Sequence, residues 1–121
     1  MRQINLLVIH CSVTKENKSF TLQALEASRR KRGFNGIGYH YYIRQSGEVI
    51  NTHPLSRIGA HAKGYNRNSI GICYEGGLDK DGKPKDTRTP EQRVALCQLV
   101  NELLVHFPGC KACGHRDFSP D

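Results

Sequence analysis

The first apolar run of the chain, Ile4-Asn5-Leu6-Leu7-Val8-Ile9, stops at His10, and the last strand-like segment, Lys111-Ala112-Cys113-Gly114, stops at His115. Short, continuous apolar segments of this kind read as strands buried in a sheet. With a histidine at the end of each, the two imidazoles can meet only if the first and last strands are neighbours in one sheet. That requirement constrains the architecture more than any other feature, because it ties the two ends of the chain together.

The segments between are compatible with such a sheet. Residues 3–11 predict the first strand, and 12–19 a polar loop. Thr21 is placed to cap a helix running to about Arg32, with Leu22, Ala24 and Leu25 turned inward and Gly33 as its stop. The basic run Arg29-Arg30-Lys31-Arg32 complements the negative end of the helix dipole. Residues 38–44 are aromatic and β-branched, Gln45-Ser46-Gly47-Glu48 is a turn, and Val49-Ile50-Asn51 returns, which makes a hairpin. Residues 55–68 are Gly-rich and polar and predict a surface loop. Residues 69–74 predict another core strand, and 75–87 an exposed loop. Thr89-Pro90-Glu91-Gln92 combines a cap, a Pro at the first helical position and a Gln three residues after the cap. Val94, Cys97, Val100, Leu103, Leu104 and Phe107 follow at helical spacing until Pro108-Gly109. Strand, helix, hairpin, strand, helix, strand predicts an α/β fold: one domain over residues 1–121, with a central mixed β-sheet flanked by helices.

A chain of 121 residues can bury one core. No stretch approaches the ~20 apolar residues of a membrane helix. The N-terminal run has no small-residue cleavage site, so neither a signal peptide nor a membrane partner is expected. The net charge of +7 favours a polyanion such as nucleic acid, lipid headgroups or an anionic cell wall. The competing reading is a solvated helix end and a solvated loop. No stacking motif or groove-reading helix marks a nucleic-acid binder. Of the five cysteines, Cys11, Cys73 and Cys97 lie in apolar-patterned segments and read as small core residues. Cys110 and Cys113 have CxxC spacing without a second such pair. With no disulfide framework evident, a reducing compartment is expected.

Catalytic zinc takes three protein ligands and keeps one position for water, and neutral imidazole is its commonest nitrogen donor. His10 and His115 suit that chemistry. A lone histidine at a strand end is more often structural, and spacing by itself leaves both readings open.

Taken in order, Val8-Ile9-His10-Cys11-Ser12, Gly38-Tyr39-His40-Tyr41, Gly59-Ala60-His61-Ala62-Lys63-Gly64-Tyr65-Asn66, Asn68-Ser69-Ile70-Gly71-Ile72 and Gly114-His115-Arg116-Asp117 resemble the type 2 N-acetylmuramoyl-L-alanine amidases. That group includes phage lysozyme-type amidases and peptidoglycan recognition proteins. The resemblance covers nearly the whole chain, with the motifs in the right order. It implies the amidase/peptidoglycan recognition protein fold. It also implies zinc-dependent hydrolysis of the amide between the lactyl group of N-acetylmuramic acid and L-alanine of the stem peptide.

By the same resemblance His10 and His115 are zinc ligands and Tyr39 is the catalytic tyrosine. His61 borders the substrate groove in similar enzymes, and Lys63, Asn66 and Arg67 are candidate contacts to the sugar or the stem-peptide carboxylates. His40, alternating with Tyr39 along its strand, is expected in the core or behind the site. Glu75 is a candidate base, weighed against a surface carboxylate. The family's third ligand lies C-terminal to the second histidine. This chain ends Phe118-Ser119-Pro120-Asp121 without such a segment, so the domain is expected to lack its C-terminal end. Ser28-Arg29 stands where relatives often carry Trp-His. The implied partner is peptidoglycan or its muropeptides, with no nucleic acid and no membrane. The protein is expected to be a monomer, cytoplasmic until released to the cell wall, as a phage or prophage lysin is. The alternative is a weak or inactive module of the same fold that binds muropeptides without cutting them.

Overall fold

The computed structural model describes residues 2–114. Seven strands and two α-helices follow in the order β1 (Leu6–Cys11), β2 (Thr14–Lys15), α1 (Leu22–Lys31), β3 (Tyr41–Ile43), β4 (Val49–Asn51), β5 (Ser69–Tyr74), β6 (Gly77–Leu78), α2 (Pro90–His106) and β7 (Lys111–Gly114). Five of the strands form one sheet in the order β4-β3-β5-β1-β7. β3, β5, β1 and β7 run parallel, and β4 closes one edge as the antiparallel arm of a hairpin. The sheet is therefore mixed, as the hairpin required.

β1 lies inside this sheet, between β5 and β7, and is buried on both faces. Leu7 and Val8 are fully buried on consecutive positions. Alternation along the central strands separates two cores. On one side Ile4, Leu7, Ile43, Ile70 and Ile72 pack against Leu96, Leu99 and Leu103 of α2. On the other, Tyr42 and Cys73 pack against Leu25 of α1, with Ile37 and Tyr39. Each fully buried aliphatic side chain of this kind contributes about 1.5–3 kcal/mol. The result is three layers, a helix on each face of the sheet.

Both helices start as their sequences dictate. Thr21 Oγ1 accepts from the backbone N–H of Ala24. Thr89 and Gln92 form a reciprocal capping box, with Pro90 in the first turn. The predicted stripe of α2 holds at Leu103, which is buried, and at Val100, Leu104 and Phe107, which pack against the same core, but not at Val94 and Cys97. Gln92, Leu96, Leu99 and Leu103 face inward, whereas Val94 is 58% exposed and Cys97 is exposed. Cys97 is thus not a core residue.

Both loops on either side of the site contain structure that periodicity did not reveal. β2 and β6 pair in parallel as a two-stranded sheet. Glu75, at the end of β5, is 1% exposed and is not a surface carboxylate. It accepts from Arg44 Nε at 2.7 Å and from the backbone N–H groups of Phe20 and Gln45. Gln92 Nε2 donates to the carbonyls of Glu75 and Ile43, locking α2 to the same corner. Among the described residues no helix is long and apolar enough to cross a membrane.

Candidate functional site

The parallel pairing of β1 with β7 sets Ile9 beside Gly114. The first and last strands are therefore neighbours, and the residues that follow this pair in sequence are His10 and His115. His115 itself lies outside the described residues. His10 ends the buried part of β1 and is 8% exposed. It projects on the α1 side of the sheet, near the carboxyl ends of the parallel strands, where open α/β sheets place their ligands.

Among the described residues, two rings stand against His10. Tyr39 lies 5.1 Å away, centroid to centroid, and His61 5.0 Å away with its plane nearly perpendicular. Tyr39 and His61 are 6.3 Å apart, so the three rings form one cluster. Tyr39 reaches it from the segment entering β3, turned by Gly38 at φ +81°, a conformation that favours glycine. It is 7% exposed, packed with Leu25, Ile37 and Cys73. Burial, aided by the nearby Cys73 thiol, pushes its hydroxyl above the ordinary phenol range, so it is a proton-bearing donor at neutral pH.

His61 is the principal departure within the predicted surface loop 55–68. It is 8% exposed, and the following Ala62 is buried as well. Both of its ring nitrogens are engaged. Nδ1 is 2.9 Å from His10 Nε2, and Nε2 is 3.2 Å from Ser69 Oγ at the start of β5. The loop is folded inward by Asn66, whose Oδ1 accepts from the backbone N–H groups of His61 and Ala62. That acceptor is committed to the loop itself. Lys63 and Arg67 remain exposed on the same loop. Burial, then the neighbouring His10, His40 and arginines, lowers the His61 pKa to about 3, so the ring is neutral.

His40 is fully buried, as expected for a residue behind the site. Its Nδ1 accepts from the backbone N–H of Gly71, which fixes the proton on Nε2, and Nε2–H donates to the carbonyl of Arg57 at 2.7 Å. The Arg2 guanidinium lies 3.1 Å from that same nitrogen. With hydrogens on both atoms this is a contact between donors, and it opposes protonation. Burial, outweighing the Arg57 bond, lowers the His40 pKa to about 4.

Sequence reasoning did not single out Arg29 as a site neighbour. It is 6% exposed, not a solvated end of α1. Its guanidinium stacks 3.8 Å from the Phe34 centroid and 4.9 Å from that of Tyr39, and donates to the Ala60 carbonyl. The available signal was its position four residues after Leu25, on the same helix face. Ser69 lies in the segment Asn68–Ile72 that carries the resemblance, but its contact with His61 was not foreseen, because nothing local ties a serine opening a strand to a distant ring.

Among the described residues no three His, Cys, Asp or Glu side chains gather about one point. His10 is the one candidate zinc ligand within them. Its setting suits that role: a buried imidazole with one nitrogen held by another neutral ring and an aromatic hydroxyl-bearing side chain alongside.

Residues 1–120 match the family model described as N-acetylmuramoyl-L-alanine amidase. The endolysin of Klebsiella phage KP32 is 34% identical over 119 residues, 98% of this chain and 79% of that protein. The solved structure of the endolysin N-acetylmuramoyl-L-alanine amidase LysCS from Clostridium intestinale superposes with a TM-score of 0.84 at 30% identity, covering 99% of this chain and 74% of the other. Wild-type Drosophila PGRP-LB shares the fold, with a TM-score of 0.82 at 22% identity over 100% of this chain and 74% of its own.

Proposed function

The chain belongs to the N-acetylmuramoyl-L-alanine amidase family, and from that premise we propose that it is a zinc-dependent hydrolase of peptidoglycan, cutting the amide between N-acetylmuramic acid and L-alanine. The observation that carries this reading is the pairing of Ile9 with Gly114, which runs the segments leading to His10 and His115 side by side. His10 and His115 are the residues that would hold the zinc. When bound, the metal would polarise the lactyl carbonyl and bring the pKa of a water towards ~7.

The remaining roles belong to the chain's own side chains. Tyr39, protonated and beside His10, donates a hydrogen bond to the oxygen on which negative charge develops as the carbonyl is attacked. The Arg29 cation behind the ring limits its freedom to turn. Lys63 and Arg67, exposed on the loop that carries His61, are the side chains that would meet stem-peptide carboxylates. The cell wall is the partner, and in this reading the protein acts as a phage or prophage lysin does, after release to the wall.

The test is digestion of purified peptidoglycan with and without zinc and a chelator. Release of stem peptides with a new L-alanine amino terminus, lost with chelator and restored by zinc, is expected. Chelator-insensitive adsorption to the walls without any new amino terminus would instead mark a recognition module.

A further inference from the structure

His61 has no ring nitrogen to spare for a substrate: one faces His10, the other Ser69. The protein also accommodates this ring at some cost in side chains. A Cβ on Gly71 would stand 2.6 Å from its Cγ and Cδ2, and one on Gly59 would stand 3.0 Å from its Cδ2. A buried, neutral imidazole carries a single ring proton, so the line His10–His61–Ser69 has a direction. The 3.2 Å separation at Ser69 lies within reach of an N–H donor on His61 Nε2. With the proton of His61 on Nε2, it is donated to Ser69 Oγ. His61 Nδ1 is then an acceptor, and the hydrogen between the two rings belongs to His10 Nε2.

We propose that His61 is a positioning residue for His10, holding it as the Nε2–H tautomer so that its Nδ1 keeps the lone pair a metal requires, and that it is not a contact for sugar or peptide. The consequence for zinc rests on the amidase reading given above; the tautomer does not. Ligating histidines are commonly oriented by an acceptor on their other ring nitrogen, and loss of such a partner weakens metal binding. Here the acceptor is itself an imidazole, oriented in turn by Ser69.

The experiment is nitrogen-15 NMR of the histidine rings in the full, metal-free chain, joined to zinc titration of His61→Ala and His61→Asn. In the unsubstituted protein His10 Nε2 is expected to be protonated and Nδ1 to be pyridine-like, with His61 also protonated on Nε2. His61→Ala should mix the His10 tautomers and weaken zinc about 10- to 100-fold, leaving KM for a soluble muropeptide unchanged. His61→Asn, which restores an acceptor oxygen, should recover part of that loss. A His10 protonated on Nδ1 in the metal-free chain overturns the proposal. So does a His61→Ala variant with full zinc affinity and a raised KM. Failure of the amidase reading looks different: the unsubstituted chain takes up no zinc while the tautomers are found as stated.

Discussion

Gly71 lies directly beneath the ring of His61, with a Cβ at that position falling 2.6 Å from two ring carbons and 2.8 Å from Nδ1. The backbone of β5 thus serves as the floor on which the imidazole rests. Gly71→Ala is expected to cost about 1–3 kcal/mol as an overpacking substitution in the interior of a sheet. In a His61→Ala background the obstacle is gone, and the same change should cost much less. Urea denaturation of the two single variants and the double variant measures the coupling. Strictly additive costs would mean that something other than the ring fills the space.

Tyr39 and His10 are close enough for the phenol to act on a substrate held at His10, with ring centroids 5.1 Å apart. Tyr39→Phe retains the ring, its packing on Leu25 and Ile37 and its contact with the Arg29 cation. It is expected to lower turnover about a hundredfold, the loss typical of one oxyanion donor, with zinc content and thermal stability close to those of the unsubstituted protein. Unchanged release of L-alanine termini from peptidoglycan would remove Tyr39 from the reaction.

The parts of this molecule that could be read from sequence are those governed by local rules. Ser69–Tyr74 shows its strand in a short stretch of alternating β-branched and small residues, and Thr89 with Gln92 announces the start of α2 by mutual capping. The meeting of β1 and β7 followed from placing a histidine at the end of each. The phase of α2 was legible in its second half, where Leu103 is buried and Val100, Leu104 and Phe107 pack beside it, but not at its start, where Val94 points outward and Gln92 and Leu96 face inward instead. Glycine richness around His61 suggested an exposed loop. In the fold, Gly71 is bare so that the ring can be buried against it, and Gly59 is bare where the Gly38 carbonyl and the rings of His40 and His61 crowd it, which are long-range facts. Glu75 was misjudged for the same reason: the arginine that draws it inward comes from the β3–β4 turn. His115 lies outside the described residues, so its role stays with the proposal.

The His40 ring gives the fold a pH dependence of its own. Its pKa falls from 6.5 to about 4 on folding, chiefly through burial. The unfolded chain therefore binds a proton that the folded one refuses between those values. Stability is full above pH 6.5, declines as pH falls through this window with a slope of up to about 1.4 kcal/mol per pH unit, and levels off below the folded value. Neutral His61 adds a second proton in the same direction. Denaturation midpoints of metal-free protein between pH 7.5 and 4.5 should show this decline, and His40→Gln should remove one proton's share of it. An identical slope in the variant would assign the dependence elsewhere.

Glu75 acts at lower pH and through the opposite kind of shift. Burial alone would raise its pKa, but the Arg44 guanidinium and the backbone N–H groups of Phe20 and Gln45 together hold it below the ordinary value of 4.5. Its contribution is therefore present above that value and is lost as pH falls through the lowered one. The carboxylate joins β5, the β3–β4 turn and the segment entering α1, so its neutralisation loosens three elements at once. Glu75→Gln keeps the shape and removes the charge. It is expected to cost roughly 2 kcal/mol at pH 7, the worth of hydrogen bonds to a charged group, and to abolish the part of the acid destabilisation that sets in below pH 4.5. The His40 decline above that point should persist in this variant. If Glu75→Gln left stability at pH 7 untouched, Arg44 and the two amides would have to be satisfied by water, and this corner would not be the brace that its burial indicates.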